Sequence, residues 1–162
     1  METDLKVYRW QTDEFLLIDW YSQLVQSGDM AVTFTPDMRY MSSFLAYFRG
    51  RCTLGYATDT RGIYFACWIE PFLSGAFFGI WIREAYRTVP SSLKLTVAAY
   101  DAAFQTATVL IGICKQDHLR ELHEKLGYKR LATIPALWNG SDVDAYALTR
   151  DMWQQRRRAK VT

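Results

Sequence analysis

Across residues 62–82 the chain carries a single charged side chain, Glu70, in an otherwise apolar and aromatic run. A run of that length is long enough to cross a bilayer, so it decides between a membrane segment and a buried sheet. Glu70 in mid-membrane would cost about 2.5–3.5 kcal/mol on insertion scales. Pro71, Ser74 and Gly75 interrupt the run with turn chemistry. The flanks, 63–69 and 76–82, are rich in aromatic and branched residues, as buried strands are. The sequence therefore predicts two core strands joined by a hairpin, and no membrane partner.

The remaining composition agrees with a folded domain. Of 162 residues, 50% are hydrophobic, and Trp 6, Tyr 10 and Phe 9 supply a large aromatic payload. Burial on that scale offsets backbone entropy and excludes disorder. Cys52, Cys67 and Cys114 are odd in number and lack CxxC spacing, which predicts buried thiols in a reducing, cytoplasmic setting rather than a disulfide scaffold. The opening METDLKVYRW shows no apolar signal region. Net charge is +2, but Arg156, Arg157, Arg158 and Lys160 lie at the end of the chain, leaving the body slightly acidic. A nucleic-acid partner would call for a basic face, so none is expected. Residues 156–162 read as a solvated basic tail on one domain, 1–155.

Patterning gives the order of elements. Residues 5–10 read as a strand. A helix capped by Thr12 or Asp13 follows, with Leu17, Trp20, Tyr21 and Leu24 inward and Gly28 as its stop. Thr35-Pro36-Asp37 starts a second helix through Met38, Met41, Leu45 and Phe48. A strand over 52–58, a turn at 59–62 and the long hairpin come next. A third helix over 91–104 presents Leu93, Val97, Tyr100 and Phe104. Residues 109–113 form a strand covered on both faces. A fourth helix bears Leu119, Leu122 and Leu126, and two strands flank Asn139-Gly140. Antiparallel runs combined with a βαβ crossover predict a mixed sheet covered by helices.

The segment 109–128, VLIGICKQDHLRELHEKLGY, resembles the C-terminal half of GNAT-type N-acetyltransferases. That superfamily typically has leucine–tyrosine–glutamate–lysine–leucine–glycine–phenylalanine here, with an asparagine seven residues before the tyrosine; His123 and Gln116 occupy those two places. The resemblance covers roughly 53–153 by element order. It implies an α/β (α+β) GNAT-like fold: a mixed, mostly antiparallel sheet of six to seven strands with about four helices covering both faces.

It also implies a site. The strand end Ile82-Arg83-Glu84-Ala85-Tyr86-Arg87 looks like the approach to the family's pyrophosphate loop, in which a Gln or Arg is followed by two glycine places. Here Arg87 keeps the cation, and Pro90 and Ser92 stand in the glycine places. Arg87, Ser91, Ser92, Lys94 and Gln116 are the implied acetyl-CoA contacts, with backbone N–H groups around Trp81 and Ile82 polarising the thioester carbonyl. Pro90 has no N–H to give, and helix-start chemistry alone also accounts for residues 88–92. His123 is the implied acid for the departing thiolate, or else a packed core histidine. Glu70 and Glu84 are candidate bases, or else mark where strands reach water. A metal site is not expected: His118 and His123 are five residues apart, about 140° around a helix, unlike the i, i+4 pair of a zinc helix.

Two functions follow from the resemblance. One is acetyl transfer from acetyl-CoA to an amine of a small molecule or a protein lysine. The other is an eroded GNAT fold that binds a partner protein through surplus aromatics such as Trp10, Trp20, Tyr40, Tyr47, Trp138 and Trp153. In style the chain is similar to phage-encoded GNAT-like proteins, some of which act on host proteins.

Overall fold

The structure, a computed structural model, describes residues 4–114, 117–138 and 140–159, without the side chains of 117–119 and 138. Its elements in order are β1 (Lys6–Val7), α1 (Trp10–Ser27), α2 (Met30–Thr33), α3 (Met41–Gly50), β2 (Thr53–Asp59), β3 (Gly62–Phe72), β4 (Gly75–Ile82), α4 (Pro90–Thr106), β5 (Val109–Cys114), α5 (Asp117–Lys125), β6 (Lys129–Trp138), β7 (Ser141–Thr149) and α6 (Arg150–Ala159). Short 3-10 turns occupy Pro36–Arg39 and Glu84–Tyr86. The seven strands form one sheet in the order β1-β2-β3-β4-β5-β7-β6. Among the described pairings, only β4 with β5 is parallel, through Ala76↔Leu110 and Phe77↔Ile111. The sheet is mixed and mostly antiparallel, as the sequence predicts, and no described helix is long and apolar enough to cross a membrane.

The chain divides into two compact units, one comprising 1–70 and 79–102, the other 71–78 and 103–162. The core of the first is a cluster of rings around Trp20, which is 0% exposed. Its indole lies 5.4–5.9 Å from the rings of Phe48, Phe44, Trp81 and Phe34, mostly tilted or edge-on, the geometry that suits ring quadrupoles. Trp68 stacks on Phe34 at 5.0 Å. It reaches that place only because residue 79 is glycine: a Cβ there would come within 2.1 Å of the Trp68 ring.

The second unit buries Leu110, Cys114, Val143, Tyr146, Leu148 and Trp153. Asp144 is buried with them and is held by Arg130 at 2.7 Å, Arg120 at 2.8 Å and the Thr133 hydroxyl at 2.7 Å. The bonds from Arg130 and Thr133 keep its carboxyl below the usual range.

Several boundaries differ from the sequence reading. Helix α1 begins at Trp10, because the Asp13 carboxylate accepts the Arg9 N–H at 3.0 Å and caps the helix from inside its first turn. It stops at Gly28, whose φ of 78° needs glycine. The helix expected from Thr35 breaks at Tyr40, where extended backbone separates a 3-10 turn from α3. On α4 the buried face is Leu95, Ala99, Tyr100, Ala103 and Phe104, and Leu93 is exposed. Arg156, Arg157 and Arg158, expected in a solvated tail, belong to α6. Of the aromatics expected to be in surplus, Trp20 and Trp153 are core residues, while Trp10 and Tyr40 are exposed at 53% and 58%. The side chain of Trp138 lies outside the described residues.

Candidate functional site

The connection from β4 to α4 holds most of the residues singled out by sequence. Strand β4 delivers Trp81 and Ile82 at its end, the 3-10 turn Glu84–Tyr86 follows, and Pro90 opens α4 at a first-turn position where its missing N–H costs no helical bond. Hydrogen bonds lock this connection. The Arg83 N–H donates to the Tyr64 carbonyl at 2.9 Å, Arg87 N–H to Glu84 at 3.1 Å, Val89 N–H to Tyr86 at 3.2 Å and Ser92 N–H to Val89 at 3.0 Å. The Ser92 side chain is 1% exposed. Its hydroxyl, like that of Ser91, is buried with no partner among the described residues. Lys94 is exposed one turn into the helix.

Arg87 is 51% exposed, and its Nε donates to the Ile82 carbonyl at 3.2 Å. One terminal nitrogen lies 3.8 Å from Asp29, whose other oxygen accepts the Trp81 indole N–H at 2.9 Å. Asp29 thus touches both the strand end and the cation after it.

Beneath the turn sits a polar cluster centred on Asp59, whose side chain is 9% exposed. Arg83 donates to both its oxygens, at 3.1 and 2.9 Å, and the Tyr86 hydroxyl donates to one at 2.5 Å. The Arg61 N–H adds a bond at 2.8 Å. Arg83 also reaches the carbonyls of Arg61 and Ile63 and the Gln23 side-chain oxygen. The rings of Tyr86 and Tyr64 lie 4.5 Å apart. Burial alone would raise the Asp59 carboxyl, but its hydrogen bonds and the Arg83 charge bring it below its ordinary value. The Tyr86 hydroxyl is correspondingly raised by its bond to that carboxylate.

The two candidate bases are not brought together. Glu84 is exposed at the start of the 3-10 turn beyond β4. Glu70 is half-buried near the end of β3 and accepts the Tyr47 hydroxyl at 2.9 Å. The length of β4 separates these positions, about 25 Å at about 3.3 Å per strand residue. Burial, together with the neighbouring Glu70 carboxylate, pushes the thiol of Cys52 and the hydroxyl of Tyr47 upward. Burial alone pushes Cys67 up to about 12.

His123, on α5 in the second unit, is half-buried and stacks on Tyr146 at 5.1 Å with Tyr128 edge-on at 4.9 Å. Its Nε2 lies 2.5 Å from where a Cβ on Gly112 would stand, so glycine on β5 makes room for the imidazole. Gln116 falls outside the described residues, as does the environment of His118. Among the described residues, no group of three or more His, Cys, Asp or Glu is placed to hold a metal ion.

Sequence reasoning overlooked Asp29, Asp59 and the roles of Arg83 and Tyr86. Asp59 reads as an ordinary turn residue, and its partners Arg83 and Tyr86 are more than twenty positions away. No local pattern encodes that meeting.

No protein-family model and no curated protein sequence matches this chain. Solved structures do. The spermidine/spermine N-acetyltransferase SpeG from Vibrio cholerae superposes with a TM-score of 0.69 at 11% identity, over 95% of this chain and 97% of that one. The aminoglycoside acetyltransferase AAC(6')-Ib, solved with coenzyme A and kanamycin, gives 0.68 at 14% identity over 95% and 99%. The yncA protein of Salmonella typhimurium, solved with acetyl-CoA, gives 0.66 at 12% identity over 90% and 92%. The fold is that of the GNAT-family acetyltransferases. At these identities the likeness is one of fold.

Proposed function

We propose that the protein is an acetyl-CoA-dependent N-acetyltransferase acting on an amine, with a small-molecule amine preferred over a protein lysine. The observation that carries this reading is the start of α4. Two serine hydroxyls are buried there without partners among the described residues, four and five residues after a half-exposed arginine, in a connection fixed by its own hydrogen bonds. An orphaned buried hydroxyl carries a desolvation cost that a ligand oxygen would relieve. Helix N-termini favour anions, and the pyrophosphate of acetyl-CoA is one. Arg87, Ser91, Ser92 and Lys94 would hold it. The fold adds weight: the neighbours named above include acetyltransferases of spermidine and of an aminoglycoside, both small amines.

Acetyl-CoA supplies an activated acyl thioester when bound. In this reading the backbone N–H groups around Trp81 and Ile82 orient and polarise its carbonyl. Glu84, exposed beside that strand end, is the better placed of the two carboxylates to accept an amine proton, because the Glu70 carboxylate is engaged by Tyr47. His123, stacked on Tyr146 with Tyr128 edge-on, would serve as the acid for the departing thiolate or else as a packing residue; retention of activity in His123→Gln would exclude it as the acid.

Isothermal titration tests the reading directly. Acetyl-CoA should bind at micromolar to sub-millimolar levels, and Arg87→Glu should abolish the heat. A folded wild-type protein giving no heat and no thermal shift at millimolar acetyl-CoA would sink it.

A second reading, a partner-binding protein on an eroded GNAT fold, is favoured by one feature. The donors of the turn are partly spent: Pro90 has none, the Ser92 N–H is taken by Val89, and Arg87 already contacts Ile82 and Asp29. It expects silence in the titration and a partner released by substitution of the exposed Trp10.

A further inference from the structure

The cluster around Asp59 lies outside every residue assigned above to ligand contact, yet its bonds run toward those residues. The Tyr86 hydroxyl donates to Asp59, the Tyr86 carbonyl accepts the Val89 N–H, and the Val89 carbonyl accepts the Ser92 N–H. Hydrogen bonds relayed through Tyr86 and Val89 therefore connect a carboxylate at the end of β2 with the first turn of α4. At the near end of the same connection, Arg83 is held by Asp59, Gln23 and the carbonyls of Arg61 and Ile63. Arg83 and Tyr86 are thus clamped on one carboxylate, and Arg87 is the next residue along the chain. Its own N–H is bonded within the clamped turn, to Glu84.

An ion pair of this kind is weak grounds for stability, since desolvation can match the Coulombic gain. It is better suited to fixing geometry. The Arg83 guanidinium uses its planar fork on several acceptors at once, which leaves a single arrangement for the backbone that carries it.

We propose that Asp59 is a positioning residue: acting through Arg83 and Tyr86, it sets the place of Arg87 and of the first turn of α4 relative to an incoming pyrophosphate. This rests on the acetyl-CoA reading given above. Asp59 touches no ligand in this scheme. Its effect is exerted at Arg87, Ser91 and Ser92, and it reduces the ordering that binding would otherwise have to supply.

The test uses Asp59→Asn, which keeps an acceptor for Tyr86 but removes the charge facing Arg83, and Tyr86→Phe, which removes one hydroxyl and keeps the ring on Tyr64. Three quantities are measured for each: acetyl-CoA affinity by titration, amide exchange over residues 86–92, and the melting midpoint without ligand. Both variants are expected to bind acetyl-CoA about tenfold more weakly. In Tyr86→Phe, exchange at Val89 and Ser92 should accelerate while α1 and β2 keep wild-type protection and the midpoint stays close to wild type. A purely structural role would lower the midpoint and leave the affinity of the folded protein unchanged, which overturns the inference. So would wild-type affinity in Tyr86→Phe alone, should Asp59→Asn fail to fold. Wild-type protein that itself gives no heat with acetyl-CoA removes the reading on which the inference stands, and the wild-type titration alone tells that result from the others.

Discussion

The ring cluster around Trp20 and the polar cluster around Asp59 lie in the same unit, the first built round a fully buried indole and the second on half-buried side chains, and they hold different things. Trp20 is surrounded by rings from α3, β3 and β4 and by Phe34, contacts that are numerous and act mainly through buried apolar area. Asp59 is surrounded by a few directional bonds from the turn that follows β4 and from its own turn. Removal of the first kind of contact costs stability through lost burial and a cavity. Removal of the second changes where a short piece of backbone sits. Bulk packing makes the domain persist, and the charged cluster decides how one connection is presented.

The largest expected effect falls on the ring cluster. Trp20→Ala should lower unfolding stability by about 3–5 kcal/mol, as other large-to-small aromatic substitutions in cores do. Chemical denaturation measures it, and a loss under about 1 kcal/mol would mean the cluster is not the core of the unit. Any protein that remains folded should keep its ligand affinity, in contrast to the Asp59 variants.

Gly79→Ala comes next. The new methyl would meet the Trp68 ring at 2.1 Å, and overpacking of this kind costs about 1–3 kcal/mol. A melting midpoint equal to wild type would show that Trp68 moves aside at no cost, and that the cluster is looser than its ring contacts suggest.

Gly62→Ala probes the boundary between the two regions. At φ 95° the backbone favours glycine, and a Cβ would lie 2.2 Å from the Asp19 carboxylate and 2.8 Å from the Gln23 amide. Gln23 in turn holds Arg83 at 2.9 Å. A loss of about 1–2 kcal/mol is expected from the left-handed backbone. Exchange measurements should show it accompanied by faster opening of residues 83–92, and loss without that opening would separate the turn from the cluster.

The smallest effect is the dependence on acid. Asp59 has a folded pKa below its unfolded value, so its contribution is fully present above about pH 4 and is lost as pH falls through the lower, folded value. Acid unfolding of Asp59→Asn, followed below about pH 4, should therefore be shallower than that of wild type, whereas Trp20→Ala should leave the slope unchanged. Equal slopes in wild type and Asp59→Asn would mean that the carboxylate gains nothing from its partners.

Much of this architecture is legible along the chain, for reasons that are local. The apolar run broken at Pro71 to Gly75 can bury itself only as paired strands, and β3 and β4 occupy it. Gly28 and the Thr35-Pro36 pair mark chain turns through their own backbone preferences. The connection from β4 to α4 was placed by the cation Arg87 and the helix-start chemistry of Pro90 to Ser92. The misreadings also share a cause. Trp20 and Trp153 read as surplus along the chain because aromatic periodicity does not say how many rings a core can absorb; the first unit buries Trp20 among rings from separate elements, and the second buries Trp153 against Phe104.

By itself the sequence determined the order of the seven strands and of the four longer helices among them, and it singled out the connection from β4 to α4. These depend on hydrophobic period, on glycine and proline geometry and on charge, all of which act over a few neighbouring residues. Only the tertiary structure decided that Asp59 meets Arg83 and Tyr86, that Asp29 joins Trp81 to Arg87, and that Glu70 is engaged by Tyr47. Each of those contacts joins residues more than twenty positions apart. Such a meeting is selected by the packing of whole elements and leaves no mark on the residues beside it.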